Sequence, residues 1–302
     1  MTGSEDRHQV GHGFAAMRLS DRLEKTPLSG LNKLVQALSR LTYFRRGFYT
    51  RFLATGIERH EHLFGKYQFE MDLRLGRLQK IFYLKPGSYE PETERFIRQH
   101  VKPGMTVLDV GANTGYMTIL LADAVGANGR VHSFEPMRAN YELLRKNVQS
   151  NGLNQAHLHN FALSDRNGDA TLHIDPGNDG GNTIGNVAGE SWDGHMAVTV
   201  ATETLDGFLE RVGIGKVDFI KIDVEGAESL VFAGARKLLS RPDAPLIVCE
   251  VGDPAQKLVG ITELDLRKTL YGHGYASYWL DGRKFGPEAA VKGLQNIVFA
   301  KP

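Results

Sequence analysis

Asp109, Gly111, Asn113, Gly115 and Glu135 have the types and the spacing to hold a nucleoside. Glycines let a backbone approach a ligand closely and expose N–H groups at a helix N-terminus. Asn113 offers both a donor and an acceptor. Glu135 follows the glycine turn by about twenty residues, where a carboxylate can accept hydrogen bonds from both hydroxyls of a ribose. This constellation predicts an adenosine-type cofactor.

Such residues work only if the elements around them converge. Val107, Leu108 and Val110 read as a buried parallel strand running into the turn, and Met117, Ile119, Leu120 and Leu121 as the apolar helix after it. A second strand, 130–134, ends at Glu135. Further strands are expected near 156–160, 217–222, 245–250, 275–280 and 295–300. Helices are expected near 92–100, 114–124, 137–150, 201–212, 226–239 and 262–273. Alternation of this kind predicts an α/β, doubly wound, mostly parallel sheet with right-handed crossovers and a ligand beyond the carboxyl ends of its strands. Residues 67–84 alternate in part and suggest a small β-hairpin in front of this core. The loop 175–195, rich in Gly and Asn, has the length of a lid or substrate loop.

The division expected is 1–66 as an N-terminal extension and 67–302 as the main domain. Residues 1–18 read as disordered. Leu28, Leu31, Leu34, Val35, Leu38 and Leu41 recur at helical spacing. Residues 26–57 contain no acid, yet carry Lys33, Arg40, Arg45, Arg46 and Arg51 interleaved with Tyr43, Phe44, Phe48 and Tyr49. That segment either packs on the main domain or on a second copy in a homodimer, or forms a surface for a membrane or a lipid-linked, anionic substrate.

Among the 302 residues, 36 basic and 35 acidic side chains leave a net charge of +1, which argues against a general nucleic-acid binder. The lone Cys249, in an apolar run, fits a buried inert thiol and a reducing compartment. No signal-peptide core and no membrane-length apolar stretch stands out, so a cytoplasmic protein is expected. No Ser-His-Asp or paired-Cys pattern is present. His173 and His273 have no ligand spacing.

The turn Gly111-Ala-Asn-Thr-Gly115 lacks the Gly-x-Gly-x-x-Gly spacing of a dinucleotide site. S-adenosylmethionine has no phosphate. Its amino-acid end needs partners of both signs, which Asn113 and the loop amides can supply, and its sulfonium tolerates Asp109 and Asp223 nearby. Asp109 can accept from the methionine ammonium or cap the turn. A nicotinamide-dependent oxidoreductase on a similar sheet is the rival reading.

Val-Leu-Asp-Val-Gly-Ala-Asn-Thr-Gly-Tyr (107–116), Phe-Glu-Pro (134–136), Asn-Phe-Ala-Leu-Ser-Asp (160–165) and Phe-Ile-Lys-Ile-Asp-Val-Glu-Gly-Ala-Glu (219–228) together resemble the FkbM-type S-adenosylmethionine-dependent methyltransferases. Gly87-Ser-Tyr-Glu-Pro-Glu-Thr93 resembles that family's lead-in segment. The resemblance covers roughly 67–300. It implies a seven-stranded Rossmann-like methyltransferase sheet whose last strand, Asn296–Phe299, runs antiparallel. It also implies methylation of a hydroxyl on a small-molecule or glycan acceptor in biosynthesis, or, alternatively, of a nitrogen on a peptide natural product.

Carried onto this chain, the resemblance places Gly111, Ala112, Asn113 and Gly115 on the methionine side. Glu135 and Pro136 fall at the ribose, Asn160, Phe161 and Ala162 at the adenine, and Tyr89 and Glu90 over the cofactor. Asp223, Glu225 and Glu250 stand at adjacent strand ends beside the expected methyl position, as base, hydroxyl-orienting groups or metal ligands. Asp223 and Glu250 match two acidic Mg²⁺ ligands of catechol-type enzymes, but the third ligand position is Val251, which disfavours a divalent metal. Glu225 is equally suited to capping the next helix, and Glu228 reads as structural. Asn182, Thr183 and His195 in the long loop are candidates for touching substrate.

Overall fold

The computed structural model describes residues 32–33, 35–36, 56–84, 89–175, 180–184, 196–252, 256 and 260–302. Most of 26–57 and His195 therefore lie outside the described residues. Within that segment Asn32, Lys33, Val35 and Gln36 are helical, and Asn32 and Val35 are buried. Asn32 Nδ2 donates to Glu58 Oε1 at 2.7 Å and Gln36 Nε2 to the Tyr83 carbonyl at 2.5 Å.

The hairpin is not where the alternation puts it. Strands β1 (Ile57–Leu63) and β2 (Tyr67–Asp72) pair antiparallel, and Arg77–Leu84 is a helix. Burial of Gln79, Phe82 and Tyr83, at i, i+3 and i+4, shows why this run coils rather than extends. Strand β1 shows little alternation because only Leu63 is fully buried. Its charge is matched across the ladder instead, with Arg59 opposite Glu70 and bridged to it at 2.9 Å. The hairpin thus straddles position 66.

In chain order the remaining strands are β3 (Thr106–Val110), β4 (Arg130–Phe134), β5 (Ala156–His159), β6 (Ala162–Leu163), β7 (Gly168–Ile174), β8 (Thr183–Ile184), β9 (Met196–Glu203), β10 (Phe219–Ile222), β11 (Leu246–Val251), β12 (Ala276–Trp279), β13 (Lys284–Phe285) and β14 (Gln295–Ala300). The main sheet runs β13-β12-β14-β11-β10-β3-β4-β5. Strands β3, β4, β5, β10 and β11 are parallel, and β14 is antiparallel to both its neighbours. The expected seven strands with an antiparallel last one are therefore present, and the two-residue β13 adds an eighth at the edge by folding back on β12.

A smaller sheet, β6-β9-β7-β8, was not expected. Part of it occupies residues read as the start of a helix at 201. The β-branched, alternating run Val198-Thr-Val-Ala-Thr202 favours a strand, and the helix Leu205–Val212 begins only after Thr204, whose hydroxyl accepts from Gly207 N at 3.2 Å. The helix expected over 226–239 is two helices, Glu228–Ala233 and Arg236–Ser240. The break is at Gly234, where a Cβ would lie 2.0 Å from the Ser164 carbonyl oxygen.

Register sets the site. Val110 pairs with Phe134 on one side and Ile222 on the other, so Gly111, Glu135 and Asp223 emerge together at one edge. Asn147, fully buried on the helix Arg138–Ser150, ties the hairpin to the glycine turn. Its amide donates to the carbonyls of Glu70 (3.0 Å) and Thr114 (2.9 Å), and its oxygen accepts from Glu70 N (2.7 Å). Among the described residues no helix is long and apolar enough to cross a membrane.

Candidate active site

A cleft of about 350 Å³ opens beyond the carboxyl ends of β3, β4, β10 and β11. Tyr89, Glu90, Asp109, Gly111, Ala112, Asn113, Glu135, Pro136, Phe161, Ala162, Asn182, Asp223, Glu225 and Glu250 all line it. Gly115, Asn160 and Thr183 do not reach that lining.

The glycine turn works differently from the expectation that its amides face a ligand. Gly111 N and Ala112 N donate to the Phe134 carbonyl at 3.1 and 3.0 Å, Asn113 N to Glu135 Oε2 at 2.9 Å, and Gly115 N to the Ala112 carbonyl at 2.9 Å. Thr114 N donates to Asn113 Oδ1 at 2.8 Å. These N–H groups are engaged by Phe134, Glu135 and the turn itself, which leaves ligand recognition to side chains. Gly111, at φ +85°, is needed because a Cβ there would sit 1.8 Å from the Asp223 carbonyl oxygen. Gly115 makes room for Leu144, 2.7 Å from where its Cβ would be.

Glu135 is buried, and burial pushes its carboxyl up to about 7 against the pull of the Met137 and Asn113 amides. Oε1 accepts from Met137 N at 2.8 Å and Oε2 from Asn113 N at 2.9 Å. The Asn140 side chain also hydrogen-bonds this carboxyl. Asn160 holds this corner from behind, donating to the carbonyls of Glu135 (2.8 Å) and Pro136 (3.0 Å). Asp109, also buried and raised by burial to about 6, accepts from Thr118 Oγ1 at 2.5 Å. That bond ties the end of β3 to the helix Tyr116–Val125 that follows the turn. Phe161 packs against Phe134, centroids 5.6 Å apart, on the same side.

At the other end, the carboxyl oxygens of Asp223, Glu225 and Glu250 come within 4.8 Å of one another. Asp223 charge, then burial and Glu225, push Glu250 up to about 10. Burial, then Asp223 and Glu228, push Glu225 up to about 8. Glu225 holds a left-handed backbone, φ +53°, costly for a residue with a Cβ. It does not cap the next helix, which begins at Glu228. Glu228 instead accepts from Val224 N, Gly226 N and Gln256 Nε2, a loop-ordering role. Cys249 is buried, and burial raises its thiol well above the usual range.

Sequence reasoning passed over Lys221. It is buried in β10, and its Nζ donates to Asp223 Oδ2 at 2.8 Å. Burial opposes its charge, but Asp223, Glu90 and Glu250 outweigh that and raise its pKa. The signal was a lysine inside the otherwise apolar run Phe219–Ile222. Asn296 was also missed. It lies opposite Glu250 in the β11–β14 ladder and donates to Glu90 Oε2 at 2.9 Å.

The cleft therefore joins a buried carboxylate beside aromatic rings to a cluster of further carboxylates. Among the described residues, Arg77 and Lys221 are the cationic side chains that line it, and Lys221 is bound to Asp223. Among them too, the set suits a cationic nucleoside, and the turn offers no N–H cradle of the kind a pyrophosphate needs. The sequence profile of the methyltransferase FkbM domain matches residues 109–277, more than half of the chain. The chain belongs to the FkbM methyltransferase family. It is accordingly an enzyme that transfers methyl groups.

One relative in the comparisons is the 2-O-methyltransferase NoeI of Sinorhizobium fredii, 28% identical over 181 residues, which are 52% of this chain and 68% of NoeI. The protein-L-isoaspartate O-methyltransferase of Caenorhabditis elegans is 33% identical over 73 residues, 24% of this chain and 32% of that protein. The crystal structure of the FkbM methyltransferase from Methylobacillus flagellatus KT superposes with a TM-score of 0.41 and 16% identity, over 75% of this chain and 56% of that one.

Proposed function

We infer that this FkbM-family enzyme methylates a hydroxyl oxygen of a small-molecule or glycan acceptor, in secondary-metabolite or glycoconjugate biosynthesis, with S-adenosylmethionine as donor. The donor supplies an electrophilic methyl group on a sulfonium. The observation that carries the reading is that one cleft holds Glu135 at one end and the Asp223, Glu225 and Glu250 cluster at the other. The Glu135 carboxylate accepts from the ribose hydroxyls. Phe161 and Ala162 lie along the base, and Asp109 and Glu90 face the cationic amino-acid end. Positioning of the acceptor oxygen in line with the methyl group can supply about 7–11 kcal/mol.

Asp223 takes the acceptor proton, while Glu225 and Glu250, held protonated near neutral pH, orient the hydroxyl. The Lys221 ammonium compensates the cluster's charge, so transfer proceeds without a divalent metal. NoeI is named a 2-O-methyltransferase, which supports oxygen over nitrogen as acceptor atom. The basic, aromatic segment 26–57 is the part of the chain suited to a lipid-linked acceptor.

Transfer of labelled methyl from S-adenosylmethionine to hydroxyl compounds, but not to peptides, with the rate unchanged by EDTA, is the expected result. Labelling confined to peptide nitrogen, or loss of turnover with EDTA, would replace this reading.

A further inference from the structure

The helix Arg77–Leu84 stands outside residues 109–277, so the FkbM profile does not reach it, yet it forms one wall of the cleft. Arg77, Leu78, Ile81 and Phe82 line that wall from one helical face. Two contacts fix where the helix lies. Gln79, fully buried, donates from Nε2 to Thr114 Oγ1 at 3.1 Å and to Asn113 Oδ1 at 3.4 Å. Phe82 meets the Tyr89 ring edge-on, centroids 4.9 Å apart. The first turn of the helix therefore stands over the glycine turn, and its second beside Tyr89.

Charge is unevenly spread over these walls. Glu90, Asp109, Glu135, Asp223, Glu225 and Glu250 line the cleft against Arg77 and Lys221, and Lys221 is bound to Asp223. Among the described residues the exposed Arg77 guanidinium makes no hydrogen bond and no ion pair. S-adenosylmethionine carries two cationic groups, a sulfonium and an ammonium, and one anion, its α-carboxylate. Carboxyl-rich walls suit the two cations and repel the anion. Backbone amides are a common partner for an anion, but those of Gly111 to Gly115 are engaged by Phe134, Glu135 and the turn itself. A guanidinium presents two parallel N–H groups to a carboxylate, a match that the Lys221 ammonium cannot offer.

We infer that Arg77 binds the α-carboxylate of the methyl donor, and that the helix Arg77–Leu84 is the element that holds it over the glycine turn. The inference rests on the methyl-transfer reading above and deepens it, adding to the donor site a residue from outside the matched family domain. Glu90 and Asp109 take the ammonium and Arg77 the carboxylate, so the amino-acid end is gripped by charges of both signs. Arg77 binds the donor and moves no proton.

Calorimetry on the full chain tests it, with S-adenosylhomocysteine and with the analogue that carries hydrogen in place of its α-carboxylate. Arg77→Gln, a change at an exposed side chain, should unfold at the parent's temperature. It should weaken S-adenosylhomocysteine about tenfold and leave the affinity for the analogue unchanged. Arg77→Lys, which keeps the charge but not the fork, should fall between parent and Arg77→Gln. The loss should shrink as salt is raised. Equal weakening of both compounds, or parental affinity for S-adenosylhomocysteine in Arg77→Gln, would overturn the assignment and leave the donor reading in place. Failure of the parent to bind S-adenosylhomocysteine would instead remove the donor reading, and this inference with it.

Discussion

The two ends of the first cleft are both built from carboxylates, yet they are built in opposite ways. At the Glu135 end each carboxyl oxygen of Glu135 is held by a backbone amide, and the turn's own N–H groups are engaged by Phe134, Glu135 and the turn itself. At the Asp223 end the carboxyl groups face one another, Glu225 sits on strained backbone, and the balancing charge comes from a buried lysine. A carboxylate fixed by amides is pre-organised to accept hydrogen bonds, which suits holding a ligand. Crowding and burial hold protons on Glu225 to about pH 8 and on Glu250 to about pH 10, which suits a site that handles a proton. The difference separates binding from chemistry within one cleft, and each prediction below probes that separation.

The largest effect is expected for Asp223→Asn. Loss of the proton acceptor should lower kcat by about 10²- to 10⁴-fold, with affinity for S-adenosylhomocysteine unchanged, as read by steady-state kinetics and calorimetry. Equal losses in both would merge the two ends. Next is Gly111→Ala, which forces a Cβ into the Asp223 carbonyl, 1.8 Å away, from a left-handed backbone. It should cost more than about 2 kcal/mol in thermal or denaturant unfolding, and it alone should damage binding and turnover together.

Lys221→Met removes the ammonium that favours ionised carboxyls in the cluster. The parent's kcat/KM should fall along a limb as pH rises through about 8, where Glu225 loses the proton with which it orients the hydroxyl. In the variant that limb should move up by about one to three pH units, with Lys221→Arg closer to the parent. A limb that stays in place would detach Lys221 from the proton transfer. The smallest effect concerns the other end. Glu135 titrates about 7, and only its ionised form accepts from both hydroxyls of a diol. Affinity for S-adenosylhomocysteine should therefore rise a few-fold from pH 6 to pH 8, with a midpoint below that of the turnover limb.

What could be read from the chain follows from where the information sits. Buried parallel strands such as Val107–Val110 and Ile220–Ile222 announce themselves by apolar runs, and strand ends by the Gly and acid that follow. The hairpin was misplaced because β1 pairs through backbone and cross-strand charge, with almost no apolar face to show a period. The small sheet escaped notice because β6 and β8 are two residues each and borrow their order from β7 and β9. The site acids were legible as residues following strands. Their division of labour was not, because hydrogen bonds such as Asn160 to the Glu135 carbonyl, or Lys221 to Asp223, depend on side-chain directions that spacing does not encode. Lys221 was the exception that could have been found, since a lysine within a fully buried strand needs a partner.

The central claim is that Glu135 grips the donor and does nothing else for the reaction. Calorimetric titration of S-adenosylhomocysteine into Glu135→Ala and Asp223→Asn, side by side with the parent, tests it most directly. The account predicts at least about tenfold weaker binding for Glu135→Ala and parental binding for Asp223→Asn. Parental affinity in Glu135→Ala would contradict it.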